Sequence, residues 1–218
     1  MSLTIQEQSD EIKAAAAQHM PAESLQVFAR DQNRWRAQGV PADAVAVGQV
    51  VENFTLPDAT GNDVSLTELV ASGPVVLVFY RGGWCPFCNL ALRQYQSELV
   101  PLLGSYRATL AAISPQKPDE SLTTVEKNDL QFTVLSDAGA RLARRLGIGF
   151  QLAQDVLEAQ RALGQDITLG NADGSAELPL PTVLVINAKR VVCFVDVQPD
   201  YTSRTEVSKI LSALTELS

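Results

Sequence analysis

The spacing of apolar residues changes several times along the chain, and each change marks an element. IQEQSDEIKAAAAQHM is rich in strong helix formers until Pro21 interrupts it. AESLQVFARDQNRWRAQG then sets Leu25, Phe28 and Trp35 at helical spacing and stops at Gly39. The pattern predicts a helical arm over residues 1–46. Such an amphipathic arm packs on its own domain or on a second subunit, and the first is the plainer expectation.

From residue 47 the pattern turns to strands. FTLPDATGNDVSL reads as a hairpin around Asp58, Gly61 and Asn62. GPVVLVFYR is an almost unbroken β-branched run, expected of a strand covered on both faces. PFCNLALRQYQSELVPLL predicts one helix of about 17 residues, with Leu90, Leu99 and Leu102 on its buried stripe and Leu92 and Tyr95 beside it. RATLAAIS and LQFTVLSD are further strands, separated by a short helix, PDESLTTVEKN. AGARLARRLGI is a helix closed by Gly147. An insertion of about 30 residues follows, with one helix (LAQDVLEAQRALG) and one polar loop. LPTVLVIN and RVVCFVDV form a hairpin around Ala188 and Lys189, and RTEVSKILSALTEL closes the chain as a helix. Strand–helix alternation ending in a hairpin predicts an α/β domain over residues 47–218, with a central mixed sheet and helices on both faces.

Composition narrows the function. Of 218 residues, 46% are hydrophobic and 19% charged, enough for a large core. Seventeen basic against 25 acidic residues give −8, a poor balance for holding nucleic acid or an anionic membrane. No apolar run approaches the roughly 20 residues of a membrane helix. The polar start MSLTIQEQSDEIK does not read as a secretory leader, so a cytoplasmic setting is expected. Three cysteines make no disulfide framework, and in a reducing compartment a close pair points to chemistry.

That pair lies in FYRGGWCPFCNLALRQYQ. A buried strand ends at Tyr80, a glycine-bearing turn follows, and a helix begins with Cys85 at the N-cap and Pro86 at the first helical position. Cys88, one turn on, falls on the same face. A thiolate is the reactive form, and a free cysteine of pKa about 8.5 is only about 3% ionised at neutral pH. The helix N-terminus favours an anion there, and Arg81, four residues before Cys85, is a candidate for added positive charge. An activated thiolate can attack a peroxide and become a sulfenic acid, which a neighbouring thiol converts to a disulfide. It can equally attack a substrate disulfide. A zinc site would need the distant Cys193 and His19 and is disfavoured, so no metal is expected. Two inert core thiols are the other bland reading. Cys193, in VVCFVDV, reads as a buried inert thiol, and His19 as a solvated helix end. Pro181 opens a strand, where an ordinary strand-start proline is the default.

VGQVVENFTLPDATGNDVSLTEL, VVLVFYRGGWCPFC and LAAISPQKPDESLTTVEKNDLQFTVLSDAGARLARRLGI together closely resemble the peroxiredoxin (AhpC/TSA) family of the thioredoxin fold. LPLPTVLVIN through VDVQPDYTSR resembles its subgroup with a thioredoxin-type Cys-x-x-Cys pair. The resemblance spans about residues 47–217 and implies a thioredoxin-like fold, with the helical arm added in front. Aligned on Phe79 and Tyr80, the family pattern sets Cys88 at the peroxidatic position. It also puts Cys85 where threonine is usual, Arg81 where proline is usual and Pro181 where arginine is usual. Thioredoxin logic instead makes Cys85 the nucleophile, Cys88 the resolver and Pro181 a cis-proline facing them. Which sulfur attacks stays open.

The resemblance implies a thiol-dependent oxidoreductase that reduces hydrogen peroxide or organic hydroperoxides through Cys85 and Cys88, with no cofactor. A thiol donor such as thioredoxin or glutathione would restore the pair, and a homodimer is expected. Arg81, and Arg204 in PDYTSR, are candidates to replace the absent arginine, although a solvated arginine is the plainer reading of Arg204. Trp84 and Tyr80 are expected to wall the site with apolar surface. Two other functions compete: a thiol–disulfide oxidoreductase without useful peroxidase activity, and a redox-sensing module whose arm docks a partner.

Overall fold

The computed structural model describes residues 3–217. Met1 and Ser2 of the predicted arm, and Ser218, lie outside the described residues. The arm is two helices. α1 (Ile5–His19) starts at Thr4, whose hydroxyl accepts from Glu7 N while the Glu7 carboxylate accepts from Thr4 N. α2 (Ala22–Gln38) ends at Gly39, whose φ is +70°. The expectation of helix to residue 46 is corrected: residues 39–54 form turns and irregular chain, as Pro41 and Gly48 favour.

β1 (Thr55–Pro57) and β2 (Asp63–Ser65) make the predicted hairpin, and α3 (Leu66–Leu69) comes directly after it. β3 (Val75–Phe79) leads into α4 (Pro86–Gln94), a π turn (Tyr95–Leu99) and α5 (Val100–Leu103). The π turn answers Pro101, which has no N–H to give a regular helix and whose ring crowds the carbonyl one turn back. It also corrects the predicted stripe. One extra residue in the turn rotates α5 relative to α4, so Leu103 is buried in place of Leu102, which is 44% exposed.

β4 (Thr109–Ser114), α6 (Pro118–Asn128), β5 (Thr133–Ser136) and α7 (Arg141–Arg145) come next. The insertion holds more than the sequence pattern predicts. β6 (Gly149–Gln151) and β7 (Glu177–Pro179) pair antiparallel around α8 (Gln154–Ala162) and a short α9 (Ile167–Gly170). β8 (Thr182–Ile186), β9 (Val192–Val197) and α10 (Val207–Thr215) complete the chain.

The main sheet has five strands in the order β5-β4-β3-β8-β9. β3, β4 and β5 run parallel, and β8 and β9 are antiparallel to their neighbours. β3 shows why the sheet is covered twice. Val76 and Val78 enter the core beneath α4 and α10, while Val75, Leu77 and Phe79 enter a second core with α3 and α7. A third, smaller core joins Val156, Leu157 and Leu178 of the insertion to Phe28 of α2. The arm therefore packs on its own chain. Among the described residues no helix is long and apolar enough to cross a membrane.

Candidate redox site

The site sits where β3 gives way to α4. Gly82 and Gly83 make the tight turn: a Cβ on the first would strike the Trp84 indole, and one on the second the Thr124 hydroxyl. Gly83 is tied on both sides, its N–H donating to Gln116 Oε1 at 2.6 Å and its carbonyl accepting from Asn89 Nδ2 at 2.7 Å. Cys85 is the N-cap of α4, Pro86 is next, and the main-chain N–H groups of Cys88 and Asn89 both donate to the Cys85 carbonyl. Both sulfurs are therefore carried by the first turn of one helix.

Cys85 and Cys88 are each 1% exposed. Burial alone would hold both as neutral thiols. For Cys85 it does: burial, followed by the facing sulfur, pushes this thiol well above the usual range. For Cys88 burial is overcome. A hydrogen bond from the Cys85 thiol, the charge of Arg204 and the Arg81 main-chain N–H hold its pKa well below the usual range. The surroundings therefore favour ionisation at Cys88 over Cys85.

Arg204 supplies the cation. Its Nη2 lies 3.0 Å from Cys88 Sγ and 3.7 Å from Cys85 Sγ, while Nη1 donates to the carbonyls of Tyr201 and Ser203 at 2.6 Å each. Burial works against the guanidinium, but the facing Cys88 charge outweighs it and raises the Arg204 pKa. The plainer reading of Arg204 as solvated is corrected: it is 9% exposed. A polar stretch such as PDYTSR looks like surface because nothing local shows that its loop folds inward.

Arg81 is 4% exposed and sits over two rings, its Cζ 5.1 Å from the Trp84 centroid and 4.7 Å from that of Tyr201. Tyr201 in turn meets Phe87 edge-on at 6.1 Å, a wall residue that the sequence pattern did not single out. Tyr80 is buried behind the pair, and burial pushes its hydroxyl up to about 12. Pro181 precedes β8, its carbonyl accepting from Gln198 N at 2.8 Å. The cis-proline implied by thioredoxin logic is corrected, and the ordinary strand-start proline stands: among the described residues there is no cis peptide bond, and trans is the lower-energy form before proline. Cys193 is half-buried on β9, a strand at the sheet edge, rather than fully buried as expected. Among the described residues no three His, Cys, Asp or Glu side chains gather as a metal site.

A cavity of about 130 Å³ reaches Cys85. Met20 of the arm, Phe28 of α2, Gln160 of α8, Arg81 and Trp84 line it together with Cys85. Three of these residues carry a buried polar atom without a hydrogen-bond partner: Arg81 Nε and Trp84 Nε1, both donors, and Gln160 Oε1, an acceptor.

The AhpC/TSA family profile matches residues 47–195, which includes both sulfurs. The chain belongs to the AhpC/TSA family. Peroxiredoxin Bcp of Escherichia coli is 34% identical to it over 109 residues, covering 46% of this chain and 64% of that one. Chloroplastic peroxiredoxin Q of Triticum aestivum is 28% identical over 128 residues, covering 59% and 58%. The crystal structure of peroxidoxin BcpB from Mycobacterium tuberculosis superposes with a TM-score of 0.62 at 25% identity, covering 80% of this chain and 99% of that one. The AhpC/TSA match starts after the arm and ends before Arg204, so the cation at the pair comes from outside the matched segment.

Proposed function

We propose that the protein is a thiol-dependent peroxidase that reduces hydroperoxides, with Cys88 as the attacking sulfur and Cys85 as its partner. One observation carries the assignment: Arg204 Nη2 stands 3.0 Å from Cys88 Sγ inside a buried site. A guanidinium so placed favours the thiolate at Cys88 and leaves the remaining proton on Cys85. Cys85 lines the cavity beside Arg81, Trp84 and Gln160, the side from which a small hydroperoxide would approach the pair.

The Cys88 thiolate attacks the terminal peroxide oxygen. An S–O bond forms, the O–O bond breaks, and the leaving alkoxide or hydroxide takes the Cys85 proton. The Cys85 thiolate then attacks the Cys88 sulfenic acid. An S–S bond forms and hydroxide leaves, becoming water with a solvent proton. The sulfur pair loses two electrons and the peroxide gains them. A dithiol reductant restores the pair by attacking Cys85, the sulfur on the cavity wall, so that Cys88 departs as the thiolate paired with Arg204. Thioredoxin fits this role, and glutathione, supplying two molecules, is the smaller alternative. Arg81 holds the cavity wall and lends its main-chain N–H to Cys88, and Pro181 fixes the start of β8. In this reading residues 47–218 form the catalytic domain and residues 1–46 the arm that roofs it. Family kinship also favours a cytoplasmic setting and a homodimer, which fractionation and gel filtration of the full chain read directly.

A second reading, thiol–disulfide exchange with a protein substrate, draws on the position of Cys85 at the cavity. One experiment separates the two. Peroxide consumption and reduction of a model protein disulfide are followed with a dithiol donor for wild type, Cys85→Ser and Cys88→Ser. Peroxide turnover lost in Cys88→Ser supports the peroxidase. Disulfide reduction without peroxide turnover, lost in Cys85→Ser, overturns it.

A further inference from the structure

The loop that delivers Arg204 is held by the arm. Asp200 Oδ1 accepts from Gln32 Nε2 of α2 at 2.7 Å, and its Oδ2 accepts from Arg36 Nε at 2.9 Å and Nη2 at 2.7 Å. The same carboxylate caps its own turn, accepting from Thr202 N at 3.0 Å and Thr202 Oγ1 at 2.8 Å. Gln32 Nε2 also donates to Thr202 Oγ1 at 3.0 Å. The Thr202 carbonyl accepts from Ser9 Oγ of α1 at 3.0 Å. On the far side of Arg204, the Glu206 carboxylate accepts from Ile5 N at 3.1 Å and Gln6 N at 2.9 Å, the open N–H groups at the start of α1. Arg204 is therefore bracketed by two carboxylates that grip the arm.

The grip bears on the chemistry because the Arg204 side chain folds back on this loop. Nη1 is fixed by the Tyr201 and Ser203 carbonyls, so the path of residues 200–203 sets where Nη2 points. A shift of an ångström would lengthen the 3.0 Å contact with Cys88 and weaken the charge-assisted bond.

We propose that Asp200, clamped by Gln32 and Arg36 of the arm, is a positioning residue that holds Arg204 against Cys88 and so sustains the thiolate. This rests on Cys88 being the charged sulfur and not on peroxide turnover. The arm is thus a working part of the redox site, although it lies outside the segment matched to the AhpC/TSA family.

The test reads the Cys88 thiolate directly, by its absorbance near 240 nm during a pH titration of the reduced full chain. The transition is assigned by its loss in Cys88→Ser. Titratable and charged groups around it are Cys85, Tyr80, Arg81 and Arg204, with Tyr95, Tyr201, Asp31, Asp196 and Glu206 beyond. Sign separates the possibilities. Removing the Asp200 negative charge would by itself favour the thiolate and lower the midpoint. Loss of positioning raises it. Asp200→Asn is expected to raise the midpoint by about one pH unit, part of the about one to three that an adjacent opposite charge contributes. Gln32→Ala carries no charge change and lies at the surface of a helix, so it is expected to fold and to raise the midpoint in the same direction by a smaller amount. In an Arg204→Gln background, Asp200→Asn is expected to give no rise, because only the direct charge effect, which lowers the midpoint, remains. A midpoint that stays or falls in Asp200→Asn, an unmoved midpoint in Gln32→Ala, or an equal rise without Arg204, overturns the proposal. A failed peroxidase reading would instead show as normal titrations without peroxide turnover.

Discussion

Arg204 reaches across 116 residues of sequence to put Nη2 3.0 Å from Cys88 Sγ, closer than to Cys85 Sγ at 3.7 Å. That asymmetry ranks the two sulfurs. Both are buried, both ride the first turn of α4, and the nearer one has its ionised form matched more closely by the fixed cation.

Arg204→Ala is expected to raise the Cys88 midpoint by about one to three pH units and to slow alkylation at neutral pH by about tenfold or more. Arg81→Ala is expected to do much less. Its main-chain N–H to Cys88 survives the substitution, and its guanidinium is spent on Trp84 and Tyr201. Iodoacetamide rates against pH measure both, and an Arg81→Ala effect as large as that of Arg204→Ala would reverse the ranking.

The pair is expected to oxidise in a fixed order. After one equivalent of hydrogen peroxide and dimedone trapping, mass spectrometry of Cys85→Ser should place the sulfenic acid on Cys88. Cys88→Ser should give little adduct, because burial keeps the Cys85 thiol neutral. Adduct on Cys85 in that variant, at a rate matching the Cys88 reaction, would reassign the attacker.

Much of the fold and the site was legible in the residues. PDESLTTVEKN predicts α6 to the residue, and PFC at the end of a buried strand places both sulfurs on one helical turn. The β6 and β7 ribbon was not legible, because three-residue strands carrying Gly149 and Pro179 have neither the length nor the alternation of a strand. Arg204 was underread for a different reason. Its burial depends on Asp200, Ser9 and Gln32, partners from opposite ends of the chain, and no local pattern records such a meeting.

Stability of the reduced protein should depend on the two sulfurs in opposite senses. Cys88 has a depressed folded midpoint, so its contribution is full above the unfolded value of about 8.5 and is lost as pH falls through the folded midpoint. Cys85 has a raised one, so it begins to destabilise the fold above about 8.5. Denaturant unfolding between pH 6 and 9 (a range set by those values) should show wild type gaining on Cys88→Ser up to about 8.5. The gain is about 1.4 kcal/mol for each pH unit between the folded midpoint and the working pH. A pH-independent difference would contradict the thiolate.

Tyr95→Phe removes the bond from the buried Tyr95 hydroxyl to the Thr205 carbonyl, 2.7 Å long and next to Arg204. An unsatisfied buried carbonyl should cost about 1–3 kcal/mol in chemical unfolding. The Cys88 midpoint should rise slightly as well, and a variant as stable as wild type would mean that water replaces the hydroxyl.

The carboxylate grip on the arm has a practical consequence for anyone who trims this protein to its recognisable part. A fragment cut to residues 47–195 keeps the dithiol and forfeits its counterion. Two buried thiols left without the Arg204 guanidinium would both stay protonated at neutral pH, and such a fragment would look inert for reasons unrelated to its sulfur chemistry.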